Sequence, residues 1–137
     1  MTFSGRALII PGVLALRPEY ASIEDPVADL RKAVAAGRGW LAEEAHGGLL
    51  VVANGSAMRT EKAPGFFDER AEDFDNALGA ALRAGDLSGL DLSLAEELWA
   101  DVAGLDALAG LRAAQVQVDY DDAPYGVQYW VVRWQCP

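Results

Sequence analysis

The sequence predicts a single α/β domain over residues 1–137, with a layered sheet that begins as a parallel βαβ unit and ends in an antiparallel hairpin. Two apolar runs, at residues 7–10 and 49–52, flank a segment with helical periodicity, and this order is typical of parallel strands joined by a right-handed crossover. Near the C-terminus, an alternating segment and a segment rich in Val, Tyr and Trp enclose a short turn, which indicates a hairpin. Helices are expected on the faces of the sheet.

The βαβ unit is expected to have buried strands. Each apolar run carries hydrophobic residues at consecutive positions, which is typical of strands covered on both faces. Between the strands, Asp25 is expected to cap a helix that begins at Pro26, since Asp accepts hydrogen bonds from free backbone N–H groups and Pro fits the first turn. The pair Gly47-Gly48 is expected to end this segment. The expected buried stripe is Val27, Leu30, Val34 and Leu41.

Two more helices are expected in the second half of the chain. Residues 68–84 have an amphipathic pattern, which Gly85 closes. Ser93 and Glu96 match a capping box, which predicts the start of a third helix. The expected buried stripes are Ala71, Phe74, Leu78, Ala81 and Leu82 in the first of these helices and Leu94, Leu98, Val102 and Leu105 in the second.

The closing hairpin is expected to join an exposed strand to a buried one. Residues 115–120 alternate between polar and apolar side chains, which predicts a half-exposed strand at the sheet edge. Residues 127–134 are rich in Val, Tyr and Trp on both faces, which predicts a buried strand. Trp130 and Trp134 share one face of that strand and are expected to pack under helices, while Trp99 falls in the predicted third helix.

Composition and charge exclude several classes of partner. The net charge is -10, and all of it comes from residues 68–137, which carry four Lys/Arg and fourteen Asp/Glu, against seven of each in residues 1–67. Such a surface repels phosphate backbones and anionic lipids, so neither nucleic acid nor membrane is expected as a partner. The lone cysteine, Cys136, cannot form an internal disulfide, and a cytoplasmic location is expected. A small molecule, a protein partner or self-association all remain open.

The candidate ligand-binding residues lie where the two parallel strands end, because ligands of open α/β sheets gather at the carboxyl ends of strands. They are Pro11 and Gly12 after the first strand, and Asn54, Gly55 and Ser56 after the second. Neither segment matches a dinucleotide or phosphate-binding motif. Asn54 is a candidate for orienting a ligand, although a plain turn residue is the favoured interpretation.

Other candidates receive structural interpretations. His46 is expected to stabilise the end of the first helix through the helix dipole. Asp119, Asp121 and Asp122 have the chemistry to hold calcium or magnesium, yet their spacing does not fit an EF-hand, so a plain acidic turn is favoured. No catalytic residue, metal or cofactor is predicted. The pair Phe66-Phe67 is expected to be exposed, and this pair or the half-polar strand at Val116 is a candidate face for self-association. An exposed Trp beside the pair would make it a candidate surface for a partner, although core packing is the favoured interpretation for the Trp residues.

The chain resembles the short actinobacterial proteins of the LigB-like group, in the class III extradiol ring-cleavage dioxygenase superfamily. The most specific part of the resemblance is the hairpin at residues 120–134, YDDAPYGVQYWVVRW, with its P-Y-G-V turn. The other matching segments, in order, are Ile10-Pro11, Arg17-Pro18-Glu19, Leu30-Arg31, residues 49–52 and Leu92-Ser93-Leu94.

The resemblance implies a fold but not the family's catalysis. Enzymes of this family hold non-haem Fe(II) with two histidines and a carboxylate. Those histidines follow the first two strands, where this chain carries Pro11-Gly12 and Asn54-Gly55. The resemblance therefore predicts a non-catalytic relative that acts as a binding or interaction module. The alternative is an enzyme, dioxygenase-like or hydrolase, with a non-standard site near Gly12 and Asn54.

Overall fold

The computed structural model describes residues 5–12, 28–43, 48–61 and 63–137. These residues form a four-stranded mixed sheet with helices on its faces, which confirms the predicted α/β class. In chain order, the elements are β1 (Gly5–Ile10), α1 (Ala28–Glu43), β2 (Leu49–Val52), α2 (Ala71–Ala84), a 3₁₀ helix (Ala103–Leu108), β3 (Gln115–Asp122) and β4 (Tyr129–Cys136).

The strand order of the sheet is β2-β1-β4-β3. β1 is parallel to β2, with Ala7 opposite Leu49, so the predicted βαβ unit is confirmed. β4 is antiparallel to both of its neighbours, β1 and β3, and the β3–β4 pair is the predicted hairpin. The expected start of the first helix at Asp25-Pro26, and His46 near its end, lie outside the described residues.

The two faces of the sheet carry separate cores, because successive side chains of a strand point to opposite faces. On β1, Leu8 and Ile10 face α1, where they meet Leu30 and Val34. The other face is covered by α2 and by the chain that follows it. Its buried side chains include Ala7, Ile9, Val51, Phe74, Leu78, Leu82, Leu98, Leu105, Trp130, Val132 and Trp134.

Helix α2 packs over the tryptophans of β4, as the sequence predicts. The indole Nε1 of Trp134 donates a hydrogen bond to the Leu82 carbonyl at 2.9 Å. Gly79 leaves room for Trp130, since a Cβ at this position would lie 3.4 Å from the indole Nε1. Gly85 ends the helix in the left-handed conformation, at φ 72°, which glycine adopts without strain.

The expectation that β2 is buried on both faces is wrong. β2 is an outer strand of the four-stranded sheet, and the side chains of Leu50 and Val52 are 48% and 41% exposed. Its free edge is covered in part by the 3₁₀ helix. Gly104 of that helix approaches so closely that a Cβ there would lie within 2.4 Å of the Val52 carbonyl oxygen. This contact shields backbone groups that could otherwise pair with another chain.

The prediction of a third α-helix from the Ser93–Glu96 pattern is also wrong. Residues 93–99 form successive turns, and the Ser93 N–H donates to Asp91 Oδ1 at 2.9 Å. The Leu98 carbonyl accepts hydrogen bonds from the loop after β2 instead of from a helical turn. Trp99, which the sequence placed in a helix, lies in a turn with a left-handed backbone. Among the described helices, none is long and apolar enough to cross a membrane.

Candidate functional site

The predicted ligand-binding residues lie at the sheet edge where β1 and β2 end. Pro11 is buried and Gly12 is exposed. A Cβ on Gly12 would lie 2.7 Å from Val52 Cγ1, so glycine allows a close approach to the β2 side chain. Gly12 offers no side chain to a ligand, and its place is explained by packing against β2.

Asn54 is held by backbone pairing. It forms an isolated bridge with Asp101, in which each backbone N–H donates to the other residue's carbonyl, at 2.9 and 3.1 Å. Its side-chain amide donates to the Gly55 carbonyl at 3.1 Å. These contacts account for Asn54 as a turn residue that ties the loop after β2 to the segment before the 3₁₀ helix.

Gly55 and Ser56 lie inside the protein. A Cβ on Gly55 would come within 2.5 Å of Asp75 Oδ1 and 2.9 Å of the Trp130 ring, so only glycine fits. The Ser56 hydroxyl is fully buried; it donates to the Leu98 carbonyl at 2.7 Å and accepts from the Met58 N–H at 3.0 Å. The hydroxyl is therefore used in the fold.

The structure brings these residues against a buried carboxylate that the sequence reasoning missed, Asp75 of α2. Only 2% of Asp75 is exposed. Its Oδ1 accepts from the Ser56 N–H at 2.8 Å, and its Oδ2 lies 3.2 Å from Arg59 Nη1. Burial raises the pKa of Asp75 from 3.8 to about 6, although the Ser56 and Arg59 contacts act in the opposite direction.

A polar network extends from Asp75 to the surface. Arg59 Nη1 also donates to Gln128 Oε1 at 2.8 Å, and Gln128 Nε2 donates to Asp121 Oδ1 at 2.7 Å. Asp121 in turn forms an ion pair with the exposed Arg83. We call these five residues the Asp75 network. It joins α2, the loop after β2, strand β3 and the turn that precedes β4.

The Asp75 network borders a cleft of about 210 Å³, which Asn76, Gly79 and Trp130 also line. A carboxyl group with a pKa near neutrality can exchange protons at physiological pH, which is what general acid–base catalysis requires. In this structure, however, both oxygens of Asp75 have partners and its side chain is 1% exposed. The arrangement therefore acts first to fix the loop after β2 on α2.

One sequence signal could have revealed Asp75. It lies four residues after Ala71 and three before Leu78, which puts it on the buried stripe of α2. A charged residue on such a stripe must find partners inside the protein, because an unpaired buried charge is unstable. The partners themselves, the Ser56 N–H and Arg59, come from a distant part of the chain and leave no local pattern.

A larger cleft of about 500 Å³ lies near the end of α1, between Trp40 and the β1, β3 and β4 strands. Two guanidinium groups line it. That of Arg6 lies 4.3 Å from the centroid of the Trp40 ring, and that of Arg133 is paired with Asp119, with Nε and Oδ2 2.7 Å apart. The Arg133 guanidinium also lies 5.4 Å from the centroid of the Trp40 ring, so both cations contact Trp40 and stabilise the packing of α1 on the sheet.

The acidic residues of the hairpin are dispersed. Asp119 binds Arg133, Asp121 belongs to the Asp75 network, and Asp122 accepts from the Ala123 N–H at 2.8 Å. In the part of the chain that the structure describes, no group of three His, Cys, Asp or Glu side chains is placed to hold a metal ion.

Among the residues that the structure describes, the most exposed large apolar side chains are Phe66, Phe67 and Trp99, at 74%, 56% and 57%. We call these three residues the aromatic surface. The predicted exposure of Phe66-Phe67 is confirmed. Phe66 and Trp99 also have left-handed backbones, with φ of 63° and 56°. Gly65, next to Phe66, packs against Trp99: a Cβ at this position would lie 3.1 Å from the Trp99 ring and 2.6 Å from Met58. The segment that carries Phe66-Phe67 therefore meets the segment that carries Trp99 at this glycine.

The Fe(II) ligand set implied by the family resemblance does not fit the strand ends. Gly12 has no side chain, and the amide of Asn54 is turned to the Gly55 carbonyl. The one histidine of the sequence, His46, lies outside the described residues. Comparison with known proteins adds no assignment, since no family model and no curated protein matches the chain.

Proposed function

We propose that this chain is a non-catalytic relative of the class III extradiol dioxygenase fold, and that it acts as a protein-binding module through the aromatic surface. The observation that carries the proposal is the combination of exposure and backbone strain at Phe66 and Trp99. Exposed patches of large apolar side chains are characteristic of interaction sites.

The backbone argument is energetic. A non-glycine residue in the left-handed region is destabilised by about 1–2 kcal/mol. Such a conformation persists only where the surrounding structure imposes it, and it is concentrated at functional sites. Here the Phe66 N–H donates to the Ala63 carbonyl at 2.9 Å, and the Trp99 N–H donates to the Glu96 carbonyl at 3.2 Å. Glycine or asparagine would satisfy both turns with less strain, so the aromatic side chains are best explained by a role in binding.

The non-catalytic part of the proposal is supported by the strand ends. Where the related enzymes carry histidines, this chain carries a glycine that packs on Val52 and an asparagine that pairs with Asp101. The alternative is an enzyme with a non-standard site near Gly12 and Asn54. The cleft beside Asp75 favours this enzymatic alternative. The Ser56 hydroxyl and the Asp75 carboxylate count against it, because both groups are buried and already have hydrogen-bond partners in the fold.

The test separates stability from binding. Asparagine tolerates the left-handed region, so Phe66→Asn is expected to leave the free energy of unfolding unchanged or to raise it by about 1 kcal/mol. The matched control is Phe67→Asn, in which no left-handed strain is relieved. A fall of more than about 2 kcal/mol for Phe66→Asn would assign Phe66 to packing and overturn the argument.

Binding is tested by selecting short random peptides on the immobilised protein. We expect a set of peptides whose affinity falls about tenfold or more on a Phe66→Asn/Trp99→Asn variant that remains folded. The proposal fails if every selected peptide binds the variant as tightly as the original chain.

A further inference from the structure

We infer that the partner of the aromatic surface is a basic segment of another protein, in which Lys or Arg residues stand next to apolar ones. The inference rests on the proposed function, because it specifies the chemistry of the partner that the aromatic surface would bind.

The charge around the aromatic surface carries the inference. Asp68 and Glu69 directly follow Phe67, and Glu96, Glu97 and Asp101 lie within three residues of Trp99. The side chains of Glu69, Glu96 and Glu97 are exposed. We call these five carboxylates the acidic rim. A basic segment that covered the aromatic rings would bring its cations against this rim, and opposite charges would then face each other across the interface.

Arg70, the one cation of residues 65–70 and 96–101, does not cancel the rim. Arg70 is paired with Asp68, with Nη2 and Oδ2 2.8 Å apart, and its Nη1 lies 4.0 Å from Glu97. Hydrogen bonds from Arg70 lower the pKa of Asp68 to about 2, so Asp68 stays ionised at physiological pH. Residues 65–70 and 96–101 thus carry one arginine and five carboxylates, and the rim remains strongly negative.

The two segments of the surface are held in fixed relative positions. The Leu98 carbonyl accepts from the Ala57 N–H at 3.1 Å and from the Ser56 hydroxyl at 2.7 Å. The Gly65 N–H donates to the Ala57 carbonyl at 3.0 Å. Phe66 directly follows Gly65 and Trp99 directly follows Leu98, so each aromatic residue is next to a residue whose backbone is hydrogen-bonded to Ala57. A surface fixed in this way loses little conformational entropy on binding, which favours affinity.

The same charge argues against other occupants. A second copy of the chain would place one acidic rim against another across a two-fold axis, and like charges in contact oppose association. Nucleic acids and anionic lipids carry the same sign as the rim. A cationic segment, by contrast, gains attraction to the carboxylates and to the exposed face of the Trp99 indole, which attracts Lys and Arg.

The test uses two synthetic peptides that share their Leu and Trp positions and differ in carrying Lys or Glu at the others. We expect the Lys peptide to bind at least about tenfold more tightly than the Glu peptide, with an affinity that falls as salt rises. Binding should weaken about tenfold for Glu97→Lys at the rim. The matched control is Asp29→Lys, an exposed position on α1 with the same change of charge, and it should leave the affinity within about threefold.

The outcomes distinguish this inference from the function on which it rests. If peptides depend on Phe66 and Trp99 but are neutral or acidic, or are insensitive to Glu97→Lys, the basic partner is overturned and the binding function stands. If no peptide depends on Phe66 and Trp99, both fail. A homodimer that Phe66→Asn dissociates, measured by sedimentation, would make a second copy the occupant and would also overturn the inference.

Discussion

Replacing Asp75 by asparagine is expected to change how the stability of the protein depends on pH. The pKa of Asp75 is about 6 in the folded protein, against 3.8 for an ordinary aspartate. A carboxyl group with a raised pKa binds its proton more tightly when folded, so its contribution to stability is complete below about pH 4 and is lost as the pH rises to about 6. The difference between the two pKa values corresponds to about 3 kcal/mol.

Asparagine does not titrate, so this loss should be absent from Asp75→Asn. The free energy of unfolding would be measured by denaturant titration from pH 4 to pH 7 for both proteins. We expect the free energy of unfolding of Asp75→Asn, relative to that of the original chain, to rise by about 2 kcal/mol from pH 4 to pH 7, mostly between pH 4 and pH 6. Titrating groups that do not interact with Asp75 cancel in the difference between the two proteins.

The control is Asp73→Asn, an exposed position in the first turn of the same helix. The difference in the free energy of unfolding between Asp73→Asn and the original chain should vary by less than about 0.5 kcal/mol over the same pH range. The reasoning would be refuted if the Asp75→Asn difference were flat with pH, or if it fell as the pH rose. A fall would mean that the hydrogen bond from Ser56 and the ion pair with Arg59 outweigh burial, and that the folded pKa lies below the ordinary value.

Two further predictions concern glycines, and both are measured as changes in the free energy of unfolding. Gly55→Ala should lower it by about 1–3 kcal/mol, because the new methyl group would overlap the buried carboxylate of Asp75; an unchanged value would show that the site can open. Gly39→Ala should raise it by about 0.5–1 kcal/mol, since this helical position has nothing within 4 Å. Gly37→Ala should show no such gain, because its Cβ would lie 2.9 Å from a core leucine; equal gains at both positions would contradict the packing.

The parts of the fold that follow from local patterns could be predicted from the sequence. Apolar runs revealed β1 and β2, an amphipathic stripe revealed α2, and alternating residues revealed β3 as an outer strand. Each of these signals lies within one segment and follows from strand or helix periodicity. Gly85 closes α2 as expected, because its left-handed backbone is a property of that turn alone.

The errors arise where distant segments decide the structure. The capping-box pattern at Ser93 predicts a helix, but the Leu98 carbonyl is taken by hydrogen bonds from Ser56 and Ala57. The apolar run of β2 does not show that the strand is placed at the sheet edge, because strand order is not encoded in one segment. For the same reason the candidate strand ends could be named, whereas their contact with Asp75 could not.

The strand order has a consequence for synthesis of the protein. β4 lies in the interior of the sheet, between β1 and β3, and it pairs residue 132 with residue 9 and residue 136 with residue 5. Until β4 has been translated, the β1–β2 pair has only two strands, too few to be stable alone, and the inner edge of β1 has no partner. Folding of the sheet is therefore expected to finish after translation of β4, with the nascent chain exposed to aggregation until then.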